Sequence, residues 1–215
     1  MSFVAAFPVG AAYIPGDAVI LRVFEERYLL MMEHVLESTR QFVSVLIAAG
    51  SEVGGEDQRF NTGVLVEVDH VEPSDFGVMV YAHVAHAVTI TNWNNEFIYP
   101  RAQVVQHHLD TTLSESDEVK KSLRDIASQI DSLFALMDSH NIAHPHVPGG
   151  AESVLFFGDE DANSEAVLWS LLRLLPCGPL ARFEVLALTS LTSRASRIVE
   201  EITHLREIIT FRFGP

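Results

Sequence analysis

The first half of the chain consists of short apolar runs separated by turn-forming residues. In one run Val64, Val66 and Val68 occupy every second position, the pattern of a strand with one buried face. Six runs are predicted to be strands: 18–23, 41–50, 63–71, 76–84, 87–93 and 97–106. Because little helical sequence separates them, they predict a mostly antiparallel sheet or small barrel over residues 1–110.

Beyond residue 110 the apolar residues recur at steps of three and four. A helix ending near His140 is predicted, because six apolar residues form one stripe along it: Val119, Leu123, Ile126, Ile130, Leu133 and Met137. Further helices are predicted at 164–175, 179–188 and 193–209. Residues 111–215 are therefore expected to form a helical lobe after the β lobe, which makes the fold class α+β.

The segment Phe-Glu-Glu-Arg-Tyr at 24–28 joins the predicted strand 18–23 to a predicted helix at 25–39. The strand is apolar on both sides, so we expect both of its faces to be buried. Phe24 and Tyr28 are four residues apart and should enter the core from one helix face. Arg27 should donate hydrogen bonds to a carboxylate or to backbone carbonyls. We interpret this segment as a structural joint, not a catalytic site.

Charge and composition limit the partners. The chain has 14 Lys and Arg against 29 Asp and Glu, a net charge of −15, which argues against nucleic-acid and anionic-membrane partners. Cys177 is the single cysteine, so no internal disulfide can form. The N-terminus lacks a basic signal-peptide region and no apolar run could span a bilayer. These features predict a cytoplasmic protein.

Sequence motifs for catalysis are missing. The only lysines, Lys120 and Lys121, follow no glycine-rich turn, which excludes a phosphate-binding loop of the Gly-x-x-x-x-Gly-Lys type. Neither Gly-x-Ser-x-Gly nor His-Glu-x-x-His occurs. We therefore predict no enzymatic activity, no catalytic residue and no cofactor.

Three histidines, His140, His144 and His146, lie within seven residues. A His-x-His segment in extended conformation can direct both rings to one side, as a zinc site requires. However, no fixed Cys or carboxylate spacing completes a ligand set, and His140 also suits the negative end of a helix dipole. No metal is therefore expected, and metal binding by these histidines is kept as an alternative.

A spaced signature occupies the first 28 residues: Phe7, Pro8, Gly10, Pro15, Gly16, Phe24, Glu25, Arg27 and Tyr28. It resembles the opening of the Lon protease N-terminal domain family, and the segments 45–55, 62–73 and 99–105 are similar to later family blocks. The resemblance implies a PUA-like β-barrel followed by a helical lobe, and a role in substrate recognition. The family's ATPase and peptidase domains would begin beyond Pro215, so the resemblance describes a stand-alone recognition domain.

The predicted function is therefore that of a non-enzymatic module that binds unfolded or extended polypeptide, or a protein partner. An apolar groove where the two lobes meet is the expected site, and a homo-oligomer is left open. RNA binding, suggested by the PUA-like fold, is the alternative that the charge disfavours.

Overall fold

The computed structural model describes residues 3–50, 58–110, 116–155 and 163–214. The chain divides into two compact units, Met1–His108 and Leu109–Pro215. The first unit is here called the β unit. Its described residues form β1 (Val4–Val9), β2 (Ala18–Val23), α1 (Glu26–Leu36), β3 (Gln41–Ala49), β4 (Gln58–Ser74), β5 (Gly77–Asn94) and β6 (Arg101–Gln106). The second unit is here called the helical unit. Its described residues form α2 (Asp117–Ser139), a 3-10 turn (Ala151–Leu155), α3 (Ser164–Leu174), α4 (Pro179–Ala187) and α5 (Leu191–Phe213).

The six strands form one sheet in the order β2-β5-β4-β3-β1-β6. An additional pairing of β5 with β6 closes five of the strands into a ring. The β1–β3 pairing is parallel and the others are antiparallel. The predicted α+β class, with a mostly antiparallel barrel before a helical part, is confirmed.

Strand β5 corrects one prediction, because the runs 76–84 and 87–93 belong to a single strand of 18 residues. Three irregularities interrupt its pairing: Ala85 and Thr91 are extra residues on β5, and Asp69 is an extra residue on β4. Each bulge shifts the alternation of side chains and increases the local twist. A coiled, bulged strand therefore produces the same sequence pattern as two separate strands.

The ends of the barrel contain two further differences from the predictions. The sequence pattern missed β1, a short strand that carries Pro8 opposite Val45 of β3; proline is uncommon inside strands because it cannot donate a ladder hydrogen bond. The strand predicted to start at residue 97 starts at Arg101. Residues 97–100 instead form a bend that ends in Pro100.

The barrel core depends on β3, which is buried on both faces over residues 42–46. On one face Val43 and Val45 join a cluster with Ala6, Val88 and Ala102. On the other face the ring of Phe42 lies 6.2 Å from that of Phe7 in β1. Helix α1 covers this unit with one apolar stripe, formed by Tyr28, Met31, Met32 and Val35.

Strand β2 differs from the prediction of two buried faces. Its burial alternates, with Val19, Leu21 and Val23 inside and Ala18, Ile20 and Arg22 exposed. In the described part of the chain it pairs with β5 alone. Because β2 is the last strand in the sheet order, one of its edges has no strand partner among the described residues. One of its faces is exposed.

In the helical unit the predicted stripe is confirmed, since the six listed residues from Val119 to Met137 are all buried in α2. The Ser116 side chain caps this helix by accepting a hydrogen bond of 3.3 Å from the Val119 amide. Ser190 caps α5 in the same way, through the Ser193 amide at 3.2 Å. His140 is the residue at the C-terminal cap of α2.

A buried arginine holds α3 and α5 together. Arg194 of α5 is 1% exposed and pairs with Glu165 of α3 at 2.7 Å. It also donates to the Leu188 carbonyl, at 3.0 Å, and its guanidinium lies 4.5 Å from the centre of the Trp169 ring. Burial lowers the pKa of Arg194, while Glu165 opposes that shift. The ion pair therefore offsets part of the cost of burying the charge.

We expect Arg194→Ala to lower the free energy of unfolding by about 3 kcal/mol, because the change leaves a cavity and removes the donor to the Leu186 and Leu188 carbonyls. Urea unfolding followed by tryptophan fluorescence measures the loss. Arg124→Ala, which removes an exposed arginine from α2, is the matched control and should change stability by less than about 0.5 kcal/mol. Equal effects of the two changes would contradict this role of Arg194.

Candidate functional site

The signature residues Pro15 and Gly16 form the turn that starts β2. The Asp17 amide donates to the Ile14 carbonyl at 3.1 Å, and Gly16 has φ 82°, which suits a turn with proline and then glycine at its centre. The Asp17 carboxylate accepts a hydrogen bond from the Ile14 amide at 3.0 Å. This turn fixes where β2 enters the sheet.

The joint between strand and helix is formed by Phe7 and Tyr28. Their ring centroids are 4.6 Å apart, and Tyr28 is buried. The Arg27 guanidinium lies over the Tyr28 ring, 4.5 Å from its centre. Its Nε and Nη2 donate to one oxygen of Glu25, at 3.1 and 3.0 Å. The aromatic partner of Tyr28 is thus contributed by β1.

The prediction that Phe24 enters the core is wrong, because its side chain is 53% exposed. Helix α1 begins at Glu26, with Glu25 as its N-terminal cap, so Phe24 precedes the helix. The rule that residues four apart share a helix face therefore does not apply to Phe24 and Tyr28. Phe24 is thus an exposed aromatic residue within the signature, and it is a candidate for contact with a partner.

A small groove, here called the motif groove, gathers most of the signature. It has a volume of about 210 Å³ and is lined by Phe7, Pro8, Val23, Phe24, Glu25 and Tyr28, among others. Strands β1 and β2 both border it, yet they do not pair with each other in the described residues. The volume is below the roughly 300–1,000 Å³ of small-molecule pockets, so the groove suits a side chain from a longer partner.

Beside the motif groove lies the edge surface, formed by Ile20, Arg22, Phe24 and Phe76. Ile20 is 59% exposed and Phe76, in the β4–β5 turn, is 71% exposed. The Arg22 guanidinium lies 5.6 Å from the centre of the Phe76 ring. Gly77 has φ 94°, and a Cβ there would overlap the Val23 carbonyl oxygen, so the turn packs directly on the end of β2. Three large apolar side chains are thus exposed along one sheet edge.

A larger cleft of about 580 Å³, here called the arginine cleft, is lined by Arg27, Arg59, Asn61, Trp93, Phe97 and Tyr99, among others. The Arg59 guanidinium lies 5.0 Å from the Trp93 ring centre and donates to the Asn95 side chain at 3.0 Å. The Trp93 indole N–H donates to the Asn61 side-chain oxygen at 3.1 Å. These contacts hold two of the walls in place.

Phe97 and Tyr99 also line a neighbouring cleft of about 380 Å³ that includes His34 and Arg101. The Tyr99 hydroxyl and His34 Nδ1 are 2.8 Å apart. Burial raises the pKa of Tyr99, partly offset by Arg101, so the phenol remains protonated at neutral pH. The Arg101 guanidinium lies 5.4 Å from the Phe97 ring centre.

The three histidines kept as alternative metal ligands do not form a cluster in the described structure: His140 and His144 contact other side chains, and His146 is exposed. His144 stacks on Phe134 at 4.2 Å; its Nε2 lies 3.0 Å from Asp138 and its Nδ1 2.9 Å from the Pro145 carbonyl. The Pro145 carbonyl, together with Asp138, raises the pKa of His144. His140 stacks on Phe213, and His146 is exposed. Nowhere in the described residues do three His, Cys, Asp or Glu side chains form a group that could hold a metal.

The apolar segments of the helical unit divide into a buried and an exposed group. In the segment 168–175, Leu168, Trp169, Leu171 and Leu172 are buried. In the segment 206–213, Ile208 and Phe211 are exposed. The groove expected between the lobes stays a prediction.

Comparison with known proteins places this architecture in a defined class. The fold is similar to the crystal structure of a Lon N-terminal domain protein from Xanthomonas campestris, with a TM-score of 0.61 and 17% identity over 93% of this chain and 98% of that one. It is also similar to the N-terminal domain of the Mycobacterium avium complex Lon protease, with a TM-score of 0.67 and 12% identity over 94% and 98%.

The sequence itself matches the model of the ATP-dependent protease La (LON) substrate-binding domain over residues 4–204. The chain therefore belongs to this family, and the resemblance found in the signature is confirmed. No curated protein sequence matches the chain. Across the described helices, none is long and apolar enough to cross a membrane.

We expect two phenylalanines of the β unit, Phe42 and Phe24, to differ sharply in the cost of truncation to alanine. Phe42 is fully buried, so Phe42→Ala should cost about 3–5 kcal/mol through cavity formation. Phe24→Ala should cost less than about 1 kcal/mol, because half of the ring already contacts water. Urea unfolding of both variants tests this. A loss at Phe24 as large as that at Phe42 would restore a core role for Phe24.

Proposed function

We propose that this protein is a non-enzymatic recognition module that binds unfolded or extended polypeptide through the edge surface and the adjoining motif groove. Membership of the substrate-binding domain family supports a recognition role. The observation that carries the proposal is the exposure of Ile20, Phe24 and Phe76 beside β2, whose outer edge has no strand partner in the described residues.

The physical argument begins with the backbone of β2. An open strand edge offers N–H and C=O groups that an extended polypeptide can pair with, independently of its sequence. In the sheet Ile20 is opposite Tyr81, and Arg22 is opposite Met79. An added strand would therefore lie on the side of β2 away from β5. Backbone pairing would let one surface accept unfolded segments of different sequence.

Apolar contacts would add the affinity that backbone pairing lacks. Ile20 and Phe24 lie on the exposed face of the strand and its continuation, and Phe76 adjoins it through Arg22. Unfolded chains expose apolar side chains that folded proteins bury, so such a surface discriminates between the two states. The motif groove would receive one of these side chains.

The binding test compares matched pairs of substitutions. We expect the double variant Ile20→Ser and Phe24→Ser to weaken binding of a labelled, reduced and alkylated polypeptide by at least about ten-fold, because two apolar contacts are lost. The control is the double variant Ile208→Ser and Phe211→Ser, which removes an exposed isoleucine and phenylalanine from α5. Fluorescence anisotropy gives the dissociation constants, and circular dichroism checks the fold of each variant.

The control variant should bind like the parent protein. Equal losses in the two double variants, or none in either, would refute the edge surface as the site. Single-stranded RNA is the second ligand, and we expect no binding at moderate salt because of the net charge of −15. RNA binding without polypeptide binding would reverse the proposal in favour of the RNA alternative.

The absence of catalysis is a separate part of the proposal. Lys120 and Lys121 are exposed near the start of α2, and no glycine-rich turn precedes them in the sequence. Burial raises the pKa of the Cys177 thiol, which disfavours the thiolate that nucleophilic chemistry needs.

We therefore expect the purified chain neither to hydrolyse ATP nor to cleave casein. Phosphate release and the fluorescence of labelled casein measure the two activities. Turnover that co-purifies with the chain through successive columns and scales with its concentration would show that the module is an enzyme.

A further inference from the structure

One face of the sheet formed by β2, β5 and β4 is open to solvent. Residues that are directly paired in a sheet project to the same side, so the pairings define three rows of side chains across these strands. Read from β2 to β4, the rows are Ala18–His83–Glu67, Ile20–Tyr81–His70 and Arg22–Met79–Glu72. These residues are here called the outer face, and each of them is exposed or half-buried.

The apolar part of the outer face lies on β2 and β5. Ile20 is exposed, and Tyr81 and Met79 are half-buried. The His70 imidazole stacks on the Tyr81 ring, with the ring centres 4.4 Å apart and the planes within 7° of each other. The aromatic surface therefore extends onto β4. In layered domains, a sheet face with such side chains is covered by another element.

The negative charge of the outer face lies on β4. The side chains of Glu67 and Glu72 are about half exposed, as is that of the adjoining bulge residue Asp69. His83 lies 2.9 Å from Asp69 and 3.5 Å from Glu67. Arg40 contacts this strand through its backbone carbonyls. Within the described ranges, no arginine or lysine forms an ion pair with these three carboxylates.

The dimensions of the outer face suit one helix. Neighbouring strands lie about 4.8 Å apart, so β2 and β4 are separated by about 10 Å, close to the diameter of a helix with its side chains. Three rows span about 13 Å along the strands, which corresponds to between two and three helical turns. Arg22 on β2 and the carboxylates on β4 give the two sides of the face opposite charge, which would fix the orientation of a charged helix.

We propose that the outer face docks an amphipathic helix of a partner protein, with lysine or arginine side chains along one flank of its apolar stripe. The stripe would cover Ile20, Met79 and Tyr81, and the basic flank would contact Glu67 and Glu72. Charge favours this occupant over a second copy of the chain, because each copy carries a net charge of −15 and two such faces would repel each other.

The inference is independent of the proposed function. It concerns a sheet face and a helical partner, whereas the proposed function concerns the edge of β2 and an extended polypeptide. Ile20 borders both surfaces and is therefore left unchanged in the test.

The test uses three labelled peptides of about 18 residues, long enough to form a helix, with the same leucine stripe and with Lys, Gln or Glu along one flank. We expect the Lys peptide to bind at least about five-fold more tightly than the Gln peptide, and the preference to fall with added salt. The double variant Glu67→Gln and Glu72→Gln should lose the preference but bind the Gln peptide unchanged. Fluorescence anisotropy gives the dissociation constants.

Three further variants separate the contributions. The double variant Glu200→Gln and Glu207→Gln, which removes two exposed glutamates from α5, is the matched control and should keep the full preference. Tyr81→Thr retains a residue that suits a strand and should weaken the Lys and Gln peptides alike, by about five-fold, because apolar contact is lost. Phe24→Ser should weaken binding of unfolded polypeptide without affecting the Lys peptide. Thermal melts show whether each variant retains the fold.

Three results would overturn the inference. Equal affinity for the Lys and Gln peptides would remove the contact with the carboxylates. Equally tight binding of a scrambled Lys peptide that has no apolar stripe would reduce the effect to general attraction by an acidic protein. Self-association that Tyr81→Thr abolishes, with no peptide bound, would assign the outer face to a second copy of the chain.

Discussion

The double pairing of β5 is the constraint on which the β unit depends. One edge of this strand pairs with β4 from Gly77 to Thr89, while the other edge pairs first with β2 and then with β6. Bulges at Ala85 and Thr91 provide the twist that this change of partner needs. Because β6 closes the ring, β2 is left at the end of the sheet. The same strand therefore builds the barrel and creates its open edge.

Both candidate surfaces follow from that arrangement. The edge surface exists because β2 and the β4–β5 turn lie at the N-terminal end of β5, where no further described strand covers them. The arginine cleft lies at the other end, where the chain leaves β5 and bends through residues 95–100 before β6. One surface is apolar and suited to backbone pairing; the other combines donors with aromatic rings.

Charge acts on different length scales at these surfaces. The net charge of −15 acts on an approaching partner over a screening length of about 8–10 Å at physiological salt. The ion pair of Arg27 with Glu25 acts over 3.0 Å and is screened much less. Local ion pairs of this kind therefore persist in a chain whose overall charge is strongly negative. In the helical unit the corresponding problem, burial of Arg194, is solved internally by Glu165 and Trp169.

The sequence by itself determined the helices and strands whose apolar residues recur at one regular spacing. The stripe in α2 and the alternation of Val64, Val66 and Val68 correctly gave the buried faces, because regular elements repeat their environment at a fixed spacing. The signature from Phe7 to Tyr28 correctly identified the family. Polar residues brought together from distant segments carried no such spacing. Sequence patterns therefore did not predict that Arg27, Arg59 and Arg101 line two adjoining clefts.

Tertiary structure decided which apolar residues are buried. Phe24 and Ile20 have the same hydrophobicity as core residues, yet they are exposed because α1 begins after Phe24 and β2 is an end strand. Arg194 is buried although its sequence context resembles that of a surface helix, since Glu165 and two carbonyls are placed around it by other segments. Local patterns specify which faces an element can bury, but only its neighbours in space determine whether they are covered.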